Sequence, residues 1–176
     1  PSMISLIKST PWDTLVFGMP TWELLEYSAA ALQQAAQTTG HLTLKVDPLA
    51  DKRLLHECGF YYCDTLIEPH CKTARLRATQ HPEAIISKEI NTEQALAICH
   101  SAFVYGRFHR DFNLSRAAAD LRYDNWVRQL LESQQVFGLY WQGELAGFIG
   151  YRDNNLLLHA LAENYRGKGL SKYWWS

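Results

Sequence analysis

The stretch NNLLLHALAENYRGKGLSKYWW, residues 154–175, decides how this chain is read. Its first part, through Ala162, is an apolar run of strand length. Two glycines then fall within three residues, in Arg166-Gly167-Lys168-Gly169-Leu170-Ser171, and a helix is predicted to open after them. Backbone N–H groups at such a turn lack intrahelical acceptors, and glycine lets the chain approach an anion closely. Arg166 and Lys168 add positive charge beside those amides. The same six residues would also suit an exposed basic turn with no ligand, and both readings stay open here. Neither the GxxxxGK[ST] pattern nor GxGxxG is present, since Lys172 stands where the third glycine of the latter would be.

Working backward, QVFGLYW and ELAGFIGYR read as two strands joined through Gln142-Gly143, a compact hairpin signal. SRAAADLRYDNWVRQLLES and NTEQALAICHSAF read as helices, the second capped by Asn91 or Thr92. AIISKEI reads as a strand. The polar run HCKTARLRATQHPE reads as a linker, so a boundary is expected within residues 70–83. The expected division is a smaller N-terminal α/β domain, residues 1–80, and a second domain, residues 81–176.

In the first domain LVFGMPTWELLEY reads as extended and SAAALQQAAQTTG as a helix from Ser28 to a stop at Gly40. HLTLKVDP reads as a strand, LADKRLLHECG as a short helix, and FYYCDTLIEP as a further strand. The fold class expected is α/β (α+β), with a mixed, mostly antiparallel sheet flanked by helices.

Composition narrows the function classes. Of 176 residues, 47% are apolar, enough for a sizeable core. Seventeen basic and eighteen acidic residues give a formal charge of −1, which supplies no bulk attraction to nucleic acid or an anionic membrane. No run approaches the ~20 apolar residues of a membrane span. Four cysteines form no CxxC pair; Cys58 and Cys63 with His56 and His70 have the wrong spacing for common zinc sites, so no metal is expected. Reduced thiols and a cytoplasmic location are the reading that follows.

The turn resembles the acyl-coenzyme A pyrophosphate motif of the GCN5-related N-acetyltransferases, Q/R-x-x-G-x-G/A, written here as Arg166-x-x-Gly169-x-Ser171. Serine in the last place departs from that pattern, and Glu163 stands where the family usually has proline. The strand, helix, helix, hairpin, strand order over residues 84–176 is also that family's order. PWDTLVFGMPTWEL, ECGFYYCDTLIEP and SAFVYGRFHRDFNLSRAAADLRYDNWVRQLLES are similar to segments of dTDP-fucosamine acetyltransferases.

The resemblance implies acetyl transfer from acetyl-CoA, as co-substrate, to the amine of a nucleotide-linked amino sugar. It places the pyrophosphate on Arg166, Gly167, Lys168, Gly169, Leu170 and Ser171, and a thioester-polarising N–H at Leu161 or Ala162 on a splayed strand. His159 and Glu163 are the candidate bases, although a lone strand histidine can be packed and a glutamate there can cap a helix. The loop holding Tyr105, Arg107, Phe108, His109 and Arg110 is the candidate acceptor site, since aromatic faces and cations suit a nucleotide; a solvated basic loop over a core phenylalanine is the alternative. Trp126 and Trp141 are expected in the core. A homodimer is a further expectation, with no nucleic-acid partner. The family's fold would continue past Ser176 with more strands and helices, so the chain is expected to be a C-terminally truncated acetyltransferase with KYWW exposed. Packing of the front of the chain into the missing half's place, or another small amine as acceptor, are the alternatives, as is a chain that binds coenzyme A or a partner without turnover.

Overall fold

The computed structural model describes residues 4–176. Among these it is a mixed α+β structure with two sheets. The first sheet has the order β1-β2-β3, where β1 is Ile7–Ser9, β2 Thr21–Leu24 and β3 His41–Thr43. The pair β1–β2 is antiparallel and β2–β3 parallel. The second is a four-stranded antiparallel meander, β4 (Ala84–Ser87), β5 (Val136–Trp141), β6 (Glu144–Arg152) and β7 (Asn155–Leu161).

Between β1 and β2 lies helix α1, Pro11–Phe17, which takes in Leu15–Phe17, the start of the segment expected to be extended. Proline at its first position fixes a helical φ, and Gly18 closes it at φ 65°, donating its N–H to the Thr14 carbonyl. Those end signals outweigh the β-prone Leu15-Val16-Phe17. The Thr10, Thr14 and Thr21 hydroxyls then tie the helix start to β2, with Thr10 donating to Thr21 at 2.7 Å.

Helix α2, Ala29–Ala36, is capped by the Ser28 hydroxyl, which accepts from the Ala31 N–H. It ends before Gly40, which instead opens β3 at φ 130°. A Cβ at Gly40 would strike the Pro20 carbonyl, so the close approach of β2 and β3 requires glycine there. Helix α3, Arg53–Glu57, follows. Leu24, Ala31, Leu32, Ala35 and Leu55 form this half's core. The segment 60–69 makes no strand. Its Tyr61 hydroxyl turns to Asp111 and its Cys63 thiol to the Arg107 carbonyl, while Tyr62, Leu66 and Ile67 stay exposed. Strand propensity without an adjacent strand gives no ladder.

In the second half α4, Thr92–Ala102, is capped by the Asn91 side chain, which accepts from Gln94 N–H. The short α5, Arg107–Arg110, falls inside the expected loop. Helix α6, Arg116–Glu132, is capped by Ser115. Phe148 and Ile149 are neighbours on β6 and point to opposite faces. Phe148 packs with Ala95, Ile98, Cys99, Val127 and Leu130 of α4 and α6. Ile149 packs on Leu170 and Trp174, which belong to or border α7, Ser171–Trp174. Gln142 and Gly143 take φ 51° and 81°, the left-handed pair that a two-residue hairpin requires.

The halves meet where α1 packs on α6. Phe17 and Met19 join Phe108, Leu114 and Ala119. A nearly buried ion pair crosses the same seam, Arg122 Nε to Asp13 Oδ1 at 2.6 Å.

Candidate functional site

Strand β7 pairs only with β6 among the described residues, so no strand covers its other edge, where the Leu161 carbonyl accepts from Arg166 Nε. The ladder shows which groups that edge presents. Ala162 N–H donates to the Ala146 carbonyl at 2.8 Å. Because backbone groups alternate along an antiparallel strand, the N–H groups of Leu161 and His159 face away from β6. Of the two expected thioester donors, Leu161 is therefore free and Ala162 is already engaged. The engagement has a simple cause: the β6–β7 ladder runs one residue past the end of β7.

The glycine turn leaves β7 directly. Glu163–Tyr165 form a single 3-10 turn, and Gly167 and Gly169 take φ 72° and 69°. A Cβ on either would meet nothing, so it is the backbone angle, not space, that calls for glycine. Arg166, Gly167, Lys168 and Gly169 are exposed, whereas Leu170 is buried. Leu170 and Trp174 anchor the far end of the turn, and the Trp174 Nε1–H donates to the Tyr140 carbonyl at 3.1 Å. The terminal KYWW is thus only partly exposed: Trp174 is buried, Tyr173 stacks on Trp141, and Trp175 stays half-exposed.

Arg166 folds back toward the strand. Its Nε donates to the Leu161 carbonyl at 2.8 Å and its Nη2 to the Ser101 hydroxyl at 3.1 Å. Lys168 lies over the Tyr165 ring at 5.9 Å. The Tyr165 hydroxyl donates to Glu144 Oε2 at 2.6 Å, and that bond to a carboxylate pushes its pKa up. Glu144 is thereby part of the turn's support, a role that its hairpin position alone does not disclose.

His159 is paired across the ladder with Ile149, so its ring lies on the α7 face. It meets Trp175 edge-on at 5.3 Å. Its Nε2 is buried with no hydrogen-bond partner, and burial lowers its pKa. Glu163 is exposed at the start of the turn.

The candidate acceptor residues are less available. Phe108 is buried in the seam with Phe17 at 5.2 Å, and Arg107 lies over its ring at 4.3 Å. Helix α5 turns Phe108 inward, in line with the alternative of basic residues over a core phenylalanine. His109 is buried too, its Nε2 2.7 Å from Asp120 Oδ1. Arg110 pairs with Asp64 at 3.3 Å, and Tyr105 is exposed. Trp126 and Trp141 are half-buried rather than core. A groove of about 620 Å³ lies at the opposite edge of the sheet, lined by His81, Ile85, Ile86 and Tyr173.

Sequence reasoning missed Asp111. It is buried and receives the Tyr61 hydroxyl at 2.7 Å, His41 Nε2 at 2.7 Å and the Asn113 N–H at 2.9 Å. Its two side-chain partners lie 50 and 70 residues away along the chain, so no local motif announces it. Among the described residues no group of three or more His, Cys, Asp or Glu is placed to hold a metal ion. None of their helices is long and apolar enough to cross a membrane. Comparison with protein-family models, with curated proteins and with solved structures finds no match.

Proposed function

We propose that the chain carries the acyl-coenzyme A half-site of a GCN5-related N-acetyltransferase. The observation that supports this most is that the edge of β7 with no strand beside it leads, through one 3-10 turn, into the Arg166–Ser171 turn. An extended arm carrying two amides can pair with such an edge as a further strand would. The diphosphate joined to that arm would then reach the amides of Gly167–Ser171, with Lys168 beside it and the Arg166 backbone leading into the turn.

In this reading Leu161 N–H faces the thioester oxygen and stabilises charge as the amine nitrogen attacks the carbonyl carbon. The carbon–sulfur bond then breaks and the sulfur leaves with a proton. The amine's own proton goes to a base. The candidate bases are His159, whose pKa burial lowers and whose buried Nε2 has no partner, and Glu163, which is exposed at the start of the turn. The acceptor proposed is the amine of a nucleotide-linked amino sugar, met by Tyr105, Arg107 and Arg110 beside buried Phe108. A cytoplasmic location, reduced thiols and a homodimer complete the proposal.

The test is acetyl-CoA consumption across amino-sugar nucleotides and polyamines. Turnover with the sugar nucleotides is expected. Turnover confined to polyamines would overturn the acceptor, and acetyl-CoA binding with no product over hours would overturn the enzyme reading.

A further inference from the structure

Tyr123, on α6, lies inside a group of rings. Phe103 stacks on it at 4.8 Å and His109 at 5.6 Å, and Phe108 meets it edge-on at 6.4 Å. A phenylalanine would satisfy each of these contacts. The tyrosine hydroxyl makes no hydrogen bond among the described residues. The fold nevertheless leaves room for it, because a Cβ at Gly106 would strike that oxygen. Gly106 has φ −70° and ψ 171°, extended backbone that any residue adopts, so the chain direction there does not require glycine. What requires it is the hydroxyl. An unpaired hydroxyl on a half-buried ring costs free energy, which a ligand's acceptor atom would recover.

The next residue, Arg107, supplies charge. Its guanidinium lies over the Phe108 ring at 4.3 Å, and of the charged groups around the Tyr123 hydroxyl it acts on that oxygen most strongly. Arg110 is paired with Asp64 and Arg122 with Asp13, whereas no carboxylate among the described residues pairs with Arg107. The Arg107 backbone is held, since its carbonyl accepts from the Cys63 thiol at 2.9 Å. Burial pushes the Tyr123 pKa up, so at neutral pH the hydroxyl keeps its proton and can donate it. A hydroxyl donor beside an unpaired guanidinium suits an oxyanion. Of the groups on a nucleotide-linked amino sugar, only the phosphates are oxyanions. We infer that the Tyr123 hydroxyl and the Arg107 guanidinium hold a phosphate of the acceptor, in the space that Gly106 leaves open. The inference deepens the proposed acceptor site and rests on that reading for the nucleotide.

Thymidine diphosphate, which has the phosphates without the amine, is titrated calorimetrically into wild type, Tyr123→Phe, Arg107→Gln and Gly106→Ala, with thymidine as the control ligand. Tyr123→Phe removes one oxygen and is expected to weaken the diphosphate about fivefold without lowering the melting temperature. Arg107→Gln is expected to weaken it about tenfold. Gly106→Ala should weaken it in the wild-type background and add little beside Tyr123→Phe, where the oxygen it would strike is gone. Thymidine should bind all the chains alike. Equal diphosphate affinity in wild type and Tyr123→Phe, or a loss as large for thymidine, would overturn the inference. A Tyr123→Phe chain that melts lower would make the hydroxyl a structural group and overturn it too. If Gly106→Ala fails to fold, the Tyr123→Phe comparison decides by itself. Wild type that binds acetyl-CoA but not thymidine diphosphate would overturn the inference and leave the coenzyme site standing. Wild type that binds thymidine diphosphate through Tyr123 but not acetyl-CoA would support it and refute the coenzyme site.

Discussion

Replacing Arg122 by methionine leaves Asp13 nearly buried without its partner. The pair spans 2.6 Å, and the side chains are 13% and 8% exposed. Removing one member of a buried pair costs about 3–5 kcal/mol, most of it from the uncompensated charge that remains. The guanidinium also lies 5.7 Å from the Phe108 ring centre and 5.4 Å from that of Trp126, contacts worth roughly 0.5–1 kcal/mol each. Asp13 lies in the first turn of α1, where amide donors soften the loss, so the lower figure, about 3 kcal/mol, is expected. Divided by an m-value of roughly 2 kcal/mol/M, that moves the urea midpoint down by about 1.5 M. The matched double variant, Asp13→Leu with Arg122→Met, should recover most of the loss, because no lone charge then remains buried. Equilibrium unfolding followed by tryptophan fluorescence reads both. A shift under about 0.3 M in Arg122→Met, or a double variant worse than either single, would refute the view that this pair fastens α1 to α6.

Further outcomes follow from the same structure. Gly169→Ala puts a side chain at φ 69° and should cost about 1–2 kcal/mol, with acetyl-CoA affinity lost in parallel; an unchanged melting temperature would remove the backbone argument. Burial lowers the His159 pKa, so the unfolded chain binds more protons as pH falls below the ordinary value near 6.5, and stability declines there. His159→Leu should flatten stability between pH 7 and 5 in urea titrations, and an unaltered slope would contradict that. Among the thiols, Cys58 and Cys71 are exposed, Cys99 is buried, and burial pushes up the pKa of both Cys63 and Cys99. A thiol-exchange reagent should therefore show two fast equivalents per chain, with Cys63 and Cys99 slow; four fast equivalents would contradict the fold around α4 and α5.

The second half of the chain was largely legible because its signals are local. Asn91 and Ser115 mark helix starts within three residues of the amides they cap, and Gln142-Gly143 names its own turn. The errors in the first half have a different cause. Residues 60–69 carry strand propensity, yet β1, β2 and β3 complete a sheet without them, so the segment is spent on contacts to Asp111 and Arg107. In α1 the proline and glycine end signals were present at Pro11 and Gly18, and composition between them read the other way. At the candidate site the glycine turn was visible from spacing alone. The clasp of Arg166 on Leu161 and Ser101 was not, because one of its partners lies 65 residues upstream.

Calorimetric titration of acetyl-CoA into the wild-type chain and into an Arg166→Ala, Gly169→Val variant probes the central claim most directly. Saturable one-to-one binding to the wild type is expected, with at least a tenfold loss in the variant and a melt shifted by no more than the strain at residue 169 explains. Equal affinity in both chains would contradict it, because the diphosphate would then owe nothing to this turn.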